Sequence, residues 1–226
     1  MIVPCLDAEQ TLPQCLDAVR ANDYPPDRVE LILVDNGSRD RSPALARERG
    51  ATVLSRPGAS IGALRNAGAA AARGDVLAFL DADCVPRPHW LREGVRALQQ
   101  APGVVGYPYD APDDASWVER AWFAQRQPGR REVAGLSGGN MLVPRELFQR
   151  IGGFDEALRT GEDAEFCTRA RRHGRAIQFS DSGDSKSQQR LPSRPAPTAN
   201  PADAEPALSP RRVGFAWVAA TWSRPV

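Results

Sequence analysis

The sequence has no marked excess of charge of one sign and no long apolar run. Its formal net charge at pH 7 is +1, and Lys186 is its only lysine. Such a balance gives no electrostatic reason to bind nucleic acid. No segment approaches the roughly 18 consecutive apolar residues that a transmembrane helix needs. We therefore expect no nucleic-acid partner and no transmembrane segment, while peripheral contact with a membrane is left open.

Cysteine and histidine are also scarce. The cysteines are Cys5, Cys15, Cys84 and Cys167, and they form no C-x-x-C pair. Isolated cysteines of this kind are typical of buried thiols in a reducing compartment. Pro4 interrupts the first apolar run, so the start of the chain does not resemble a signal peptide. We expect a cytoplasmic protein, with the inner face of the membrane as an alternative location.

The first half of the chain alternates short apolar runs with segments of helical periodicity. The runs predict strands at Ile2–Pro4, Leu31–Val34, Thr52–Leu54 and Val76–Leu80. The segments between them predict helices at Thr11–Ala21, from Pro43 to just before Gly50, and at Ile61–Arg73, with Ser42 as the N-cap of the second. Strands that alternate with helices over short connections indicate βαβ units. We therefore predict an α/β fold whose mostly parallel sheet is flanked by helices.

The second half is less regular, and its character changes after Phe179. Strands are predicted at Val104–Gly106, Met141–Val143 and Ala176–Phe179, and helices at Trp90–Gln99, Trp117–Gln127, Arg145–Ile151 and Glu162–Arg172. From Asp181 to Arg212 the chain is rich in Ser, Pro and Ala and has few large apolar residues, a composition that does not order itself. We predict one domain over residues 1–179 and a disordered tail over residues 180–226.

The stretch Val76–Asp83 is the most informative part of the sequence. Its apolar residues predict a strand that is buried on both faces. Asp81 and Asp83 follow with one residue between them, and alternate residues of an extended chain point the same way. Open α/β sheets bind ligands at the carboxyl ends of their strands, and paired carboxylates suit Mg²⁺ or Mn²⁺. The alternative is that these acids cap the helix that follows Pro86.

This Asp-x-Asp stands in register with other short motifs. In chain order they are Val3–Glu9, Val34–Asp40, Arg65–Gly68, Leu80–Asp83 and Gly161–Asp163. Together the motifs resemble those of family 2 glycosyltransferases, which have the GT-A fold. The resemblance runs from Ile2 to about Phe179. Fold membership alone does not fix the chemistry, so each motif also needs its own physical argument.

The resemblance implies a site for a nucleotide-diphosphate sugar. At the end of the first strand, Pro4, Asp7 and Glu9 would lie beside the nucleotide, and Asp35 would accept hydrogen bonds from its base or ribose. Alternatively, Asp35 starts an Asx-turn and Glu9 is an acid of the first helical turn. Arg65 would contact the diphosphate or base, unless it is a solvated residue on a helix face.

The Gly138–Gly139 pair and Asn140 would approach the donor sugar or the acceptor, unless this segment is an ordinary tight turn.

The resemblance also implies a metal and a base. Asp83 would coordinate a divalent cation directly, with Asp81 at the ribose or at a metal-bound water. The cation would bridge the phosphates of the donor and neutralise the departing diphosphate. Glu162 and Asp163 match the base motif, in which Asp163 takes the proton of the acceptor hydroxyl. The alternative is that both acids complement a helix N-terminus.

We therefore expect an inverting glycosyltransferase that acts on a hydroxyl of a saccharide or a lipid-linked acceptor. Relatives often carry a histidine after the strand at Ala176–Phe179 that completes the metal site, and none follows it here. The alternative function is thus a C-terminally truncated, impaired relative that only binds nucleotide or nucleotide sugar. A nucleotidyltransferase and a dinucleotide oxidoreductase are disfavoured, because neither a Lys-bearing phosphate loop nor a G-x-G-x-x-G follows a strand.

Overall fold

The computed structural model describes residues 1–101, 103–107, 117, 131–173, 176–179 and 188–190, all within one compact unit, Met1–Ser193. Its strands are β1 (Ile2–Cys5), β2 (Ile32–Asp35), β3 (Thr52–Ser55), β4 (Val76–Leu80), β5 (Cys84–Pro86), β6 (Gly103–Gly106), β7 (Arg131–Glu132), β8 (Asn140–Pro144), β9 (Ala176–Phe179) and β10 (Gln188–Arg190). Its helices are α1 (Leu12–Arg20), α2 (Ser42–Glu48), α3 (Ile61–Ala71), α4 (Trp90–Gln100), α5 (Arg145–Ile151) and α6 (Glu162–Arg172), with a 3-10 turn at Pro26–Arg28. The predicted bounds of α5, α6 and β9 are confirmed.

An eight-stranded sheet forms the centre of this unit, with the strand order β3-β2-β1-β4-β8-β6-β9-β7. Strands β3, β2, β1 and β4 are parallel, as the βαβ pattern predicts. Strand β8 lies between β4 and β6 and is antiparallel to both. Strand β9 is parallel to β6, and β7 is antiparallel to β9. The α/β class is therefore confirmed, and the sheet is mixed.

Helices cover both faces of the sheet, and β4 shows how. Its residues alternate between two apolar clusters, with Ala78 and Leu80 in one and Leu77 and Phe79 in the other. Helices α1 and α4 contribute to the first cluster, and α3, α5 and α6 contribute to the second. Because side chains alternate across a strand, a strand covered on both faces is apolar throughout. This arrangement leaves the ends of the strands as the place for polar side chains. None of the described helices is both long and apolar enough to cross a lipid bilayer.

Helix α3 lies close against β1 because of a glycine. A Cβ atom at Gly68 would be 2.4 Å from Cγ2 of Ile2, so only glycine allows this approach. The helix begins after Ser60, whose hydroxyl accepts a hydrogen bond from the Ala63 N–H. Such a cap satisfies one of the free N–H groups of the first turn. The helix ends at Ala71, two residues before the predicted end.

The prediction that Ser42 is the N-cap of α2 is wrong. Ser42 is the first helical residue, and its hydroxyl accepts a hydrogen bond from the Ala8 N–H at 2.9 Å. The Asp40 carboxylate accepts the Ser42 N–H instead, also at 2.9 Å. Asp40, two residues before Ser42, thus accepts an N–H of the first helical turn, which is the role that the Ser-Pro pattern indicates for Ser42.

Two predictions fall mostly on residues that the structure does not describe. Of the predicted helix at Trp117–Gln127, only Trp117 is described. Of the predicted tail, only β10 is described, and it pairs with β5 in antiparallel register, with Arg190 opposite Cys84. The sequence contains no sign of this strand. The proposed domain boundary at Phe179 stays a prediction.

Candidate active site

The carboxylates of Asp81 and Asp83 converge just after β4, but not by alternation along a strand. The strand ends at Leu80, and a turn follows in which the Cys84 N–H donates to the Asp81 carbonyl at 3.0 Å. One oxygen from each carboxylate and the Cys84 sulfur lie within 4.8 Å of one another. The two acids are half-buried, whereas Cys84 is buried. The turn, rather than an extended backbone, brings the predicted metal ligands together.

The oxygen atoms of this group suit a hard divalent cation. Burial, followed by the charges of Asp83 and Asp81, raises the pKa of the Cys84 thiol above its ordinary value. A neutral thiol is a poor ligand, whereas carboxylate oxygens suit Mg²⁺ or Mn²⁺, so Asp81 and Asp83 are the residues of this group that could hold such a cation. The alternative that these acids cap the next helix is wrong, because α4 begins only at Trp90, after His89.

Arg65 lies on α3 beneath this pair and is buried rather than solvated. Its Nη2 donates to Oδ1 of Asp81 at 3.0 Å, and its Nη1 donates to Oε1 of Glu162 at 2.5 Å. The guanidinium also lies over the Phe154 ring, 5.5 Å from the ring centroid. The solvated-face alternative for Arg65 is therefore wrong. The residue ties the end of β4 to the start of α6.

The glycine pair before β8 makes a close approach to Asp81. The Asp81 N–H donates to the Gly139 carbonyl at 3.2 Å, and a Cβ at Gly139 would be only 1.9 Å from Oδ2 of Asp81. The Gly138 N–H donates to Oδ2 of Asp163 at 3.1 Å. The Gly138–Gly139 turn therefore connects Asp81, one of the predicted metal ligands, with the predicted base Asp163.

Glu162 and Asp163 are the first two residues of α6. Gly161 precedes them with φ +78°, a conformation that favours glycine, and allows the chain to turn into the helix. Glu162 is buried against Arg65, while Asp163 is half-buried and faces Gly138. Both acids also lie where the helix dipole favours negative charge. Their placement at a helix start and a role in chemistry are compatible.

Asn140 is buried, and both ends of its amide are used within the protein. Its Nδ2 donates to the Tyr107 carbonyl at 2.7 Å, and its Oδ1 accepts the Trp90 indole N–H at 2.8 Å. A buried indole N–H needs an acceptor. Asn140 thus joins β8, the end of β6 and α4, whereas the sequence predicts a contact with donor or acceptor.

The loops after β1 and β2 are joined by reciprocal hydrogen bonds. Oδ1 of Asp7 accepts the Arg39 N–H at 2.7 Å, and Oε2 of Glu9 accepts the Arg41 N–H at 2.9 Å. In the opposite direction, Oδ2 of Asp40 accepts the Glu9 N–H at 2.9 Å. Asp7 has φ +47°, in the left-handed region that aspartate tolerates better than most residues.

Asp40 is a residue of this region for which the sequence predicted no role. Burial by itself raises the pKa of Asp40, but hydrogen bonds from Ser42 and Glu9 outweigh this effect and lower it. The signal available in the sequence was its position two residues before Ser42, at which an aspartate side chain can bond the backbone ahead of it.

Asp35 and Pro4 lie at the ends of the neighbouring strands β2 and β1. Oδ2 of Asp35 accepts the Gly37 N–H at 3.2 Å and its Oδ1 accepts the Ser38 N–H at 3.1 Å, so the side chain forms the Asx-turn that the sequence offered as an alternative. Each carboxylate oxygen has a second lone pair, so a further hydrogen bond from a ligand is compatible with the turn. Pro4 is buried within β1, opposite Val34.

Comparison with known proteins gives a consistent family. Residues 1–152 match the model described as glycosyl transferase family 2, and residues 123–190 match one described as the N-terminal domain of galactosyltransferase. The glycosyltransferase AglE of Haloferax volcanii is 29% identical over 195 residues, covering 79% of this chain and 63% of that protein. The probable glycosyltransferase YdaM of Bacillus subtilis is 27% identical, covering 79% of this chain and 48% of that protein.

Two solved structures are similar to this chain in fold. The S. aureus TarS 1-349 complex with UDP-GlcNAc has a TM-score of 0.71 at 18% identity and covers 86% of this chain and 58% of that chain. The mannosyltransferase PcManGT from Pyrobaculum calidifontis, in complex with GDP-Man and Mn²⁺, has a TM-score of 0.68 at 20% identity and covers 87% of this chain and 57% of that chain. The chain therefore spans less than two thirds of the length of each of these relatives.

Proposed function

The chain belongs to glycosyltransferase family 2, and from this premise we propose that it transfers a sugar with inversion from a nucleotide-diphosphate donor to a hydroxyl of a saccharide or a lipid-linked acceptor. The observation that carries the proposal is the Gly138–Gly139 turn. It contacts Asp81 on one side and Asp163 on the other, so one member of the carboxylate pair suited to a cation and a carboxylate suited to a base belong to one hydrogen-bonded assembly.

Asp81 and Asp83 would hold the cation, Mg²⁺ or Mn²⁺. When bound, such a cation neutralises the charge that develops on the departing diphosphate. The complexes of TarS with UDP-GlcNAc and of PcManGT with GDP-Man and Mn²⁺ support a nucleotide sugar as the donor, and the second supports a divalent metal that accompanies it. Asp35, with Pro4, Asp7 and Glu9 nearby in the joined loops, would bind the nucleoside.

Asp163 would act as the base. As the acceptor oxygen attacks the anomeric carbon, its proton moves to the Asp163 carboxylate, and the bond from that carbon to the diphosphate breaks. Attack opposite the leaving group inverts the carbon, and a single base suffices, so no second carboxylate nucleophile is required. A positioned base typically accelerates such a step by about 10²–10⁴-fold. The Gly138 N–H fixes the direction of one carboxylate oxygen.

The other predicted site residues would act through these groups. Arg65 and Glu162 are buried and paired, so we assign them to positioning rather than to the donor. Gly139 provides space for the Asp81 carboxylate, and Asn140 anchors β8 behind it. A lipid-linked acceptor would bring the chain to a membrane face, and we propose the cytoplasmic face as the location.

Calorimetric titration with UDP, GDP and dTDP, each with and without Mn²⁺, tests this function. We expect one nucleotide to bind in a Mn²⁺-dependent manner, because a cation held by Asp81 and Asp83 would offset the negative charge of its phosphates. Asp83→Ala should remove that dependence. Asp75→Ala is the matched control, since Asp75 is an exposed acid at the opposite end of the same strand and should bind as the wild type does.

Three outcomes separate the alternatives. Nucleotide binding together with transfer to an acceptor supports the proposal. Nucleotide binding without transfer to any saccharide or lipid-linked acceptor would favour an impaired relative that only binds. No binding of any of the nucleotides would contradict a working donor site.

A further inference from the structure

One buried arginine joins two acids from different motifs. The Arg65 side chain is 4% exposed, and its partners are the Asp81 side chain, 26% exposed, and the Glu162 side chain, 9% exposed. The Arg65 Nε is buried and has no hydrogen-bond partner among the residues that the structure describes. Asp81 belongs to the carboxylate pair that would hold the cation, and Glu162 adjoins Asp163, the proposed base. The charge of Arg65 is thus shared between the two parts of the site.

A cation bound at Asp81 and Asp83 would lie beside this arginine. Nη2 of Arg65 is 3.0 Å from Oδ1 of Asp81, so a divalent ion held by the same carboxylate experiences repulsion from the guanidinium. Charges this close interact strongly where burial limits screening by water. Oε1 of Glu162 accepts a hydrogen bond from Nη1 of the same guanidinium at 2.5 Å, and its negative charge offsets part of the charge of Arg65. The balance of this trio would therefore affect the affinity of the pair for cations.

We propose that Arg65 is a positioning residue that holds Asp81 and the start of α6 in one arrangement and sets the affinity of the Asp81–Asp83 pair for a divalent cation, with Glu162 moderating its charge. The proposal rests on the proposed function for the identity of the cation site. It gives a role to the burial of Arg65, an arginine of a donor-site motif whose two terminal nitrogens both donate to carboxylates.

The proposal predicts opposite effects from two substitutions that do not touch the cation. Arg65→Met removes a neighbouring positive charge, so Mn²⁺ should bind more tightly, by at least about threefold. Glu162→Gln removes the acid that offsets Arg65, so Mn²⁺ should bind more weakly, by a similar factor of about three. A purely structural role for the trio predicts weaker binding in both variants, since either change would loosen Asp81.

The experiment is a calorimetric titration of the full chain with Mn²⁺ alone. Arg73→Met is the matched control, because Arg73 follows the same helix and pairs with Glu30 but is 88% exposed. We expect it to leave the affinity unchanged. Arg65→Lys retains the charge and should bind Mn²⁺ much as the wild type does, which separates the effect of charge from that of shape.

A folding failure of Arg65→Met would not end the test. Breaking a buried pair by removing one partner is strongly destabilising, whereas replacing both partners by apolar residues is often neutral. The double variant Arg65→Met with Glu162→Leu therefore provides a folded protein without the Arg65 charge, and it should bind Mn²⁺ more tightly than Glu162→Gln does.

The results distinguish this inference from the proposed function. Tighter binding without Arg65 and weaker binding in Glu162→Gln support it. Equal Mn²⁺ affinities in all variants would overturn it, and so would weaker Mn²⁺ binding in both Arg65→Met and Glu162→Gln. In either case the cation site itself would stand. If neither the wild type nor any variant binds Mn²⁺, both this inference and the metal-dependent step fall.

Discussion

Gly139→Ala should displace the Asp81 carboxylate. The added Cβ would be 1.9 Å from Oδ2 and 2.2 Å from Cγ of Asp81, whereas ordinary contacts begin at about 3.4 Å. The carboxylate must therefore move by more than 1 Å. Its Oδ1 is bonded to Arg65, so this movement breaks the ion pair or shifts the turn. Overpacking of this kind costs typically about 1–3 kcal/mol.

Two assays measure this effect. Urea unfolding should show a loss of about 1–3 kcal/mol in the free energy of unfolding. A Mn²⁺ titration of the folded variant should show weaker binding, because the two carboxylates no longer converge. The weaker Mn²⁺ binding is the more specific effect, since the Asp81 side chain can relieve the clash by rotating away from Asp83.

Gly135→Ala is the control for this prediction. Gly135 is an exposed residue of the same segment, and a Cβ there would meet nothing within 4 Å. The change should leave Mn²⁺ binding intact and alter stability by no more than about 1 kcal/mol. If Gly139→Ala proves as stable as Gly135→Ala and binds Mn²⁺ equally well, Asp81 is not held against this turn, and the assembly that carries the proposed function is wrong.

Further predictions concern the base, the thiols and a helix cap. Asp163→Asn keeps an oxygen for the Gly138 N–H but has no basic carboxylate, so transfer should fall by at least about 10²-fold while calorimetry shows unchanged nucleotide binding. Burial raises the pKa of Cys5 and of Cys167 to about 11, so a thiol reagent at pH 8 should modify them only after unfolding, because the thiolate is the reactive form. Ser60→Ala removes the cap of α3 and should cost about 0.5–2 kcal/mol in urea unfolding, whereas an unchanged midpoint would argue against that cap.

Local patterns sufficed for the elements whose ends are marked in the sequence. Helix α5 ends where Gly152 adopts a left-handed conformation, and α6 begins directly after Gly161. Both bounds were predicted, and for α5 the signal was the Gly152–Gly153 pair, because a glycine just after the last helical residue marks a helix end. The strand Val76–Leu80 was predicted for a similar reason, since a run buried on both faces is apolar throughout.

Features that depend on distant parts of the chain were not predictable in this way. Nothing local to Asn140–Pro144 shows that β8 would lie between β4 and β6 and run against both. The use of Arg65 depends on Glu162, which is remote in sequence, so periodicity alone leaves it as a helix-face residue. Ser42 carried the right signal for a cap, but its hydroxyl accepts a hydrogen bond from the N–H of Ala8, which lies in another loop.

The place of β8 in the sheet has a consequence for how the chain reaches its fold during synthesis. Strands β1 to β4 can pair as they leave the ribosome, but the outer edge of β4 stays unpaired until β8 is made, and β8 follows three further described strands and helix α4. An unpaired strand edge is a site of aberrant association. We expect nascent chains stalled before Gly138 to be protease-sensitive and prone to aggregate, and chains stalled well beyond α6 to be resistant. Equal resistance at both lengths would show that the early strands form a stable unit without β8.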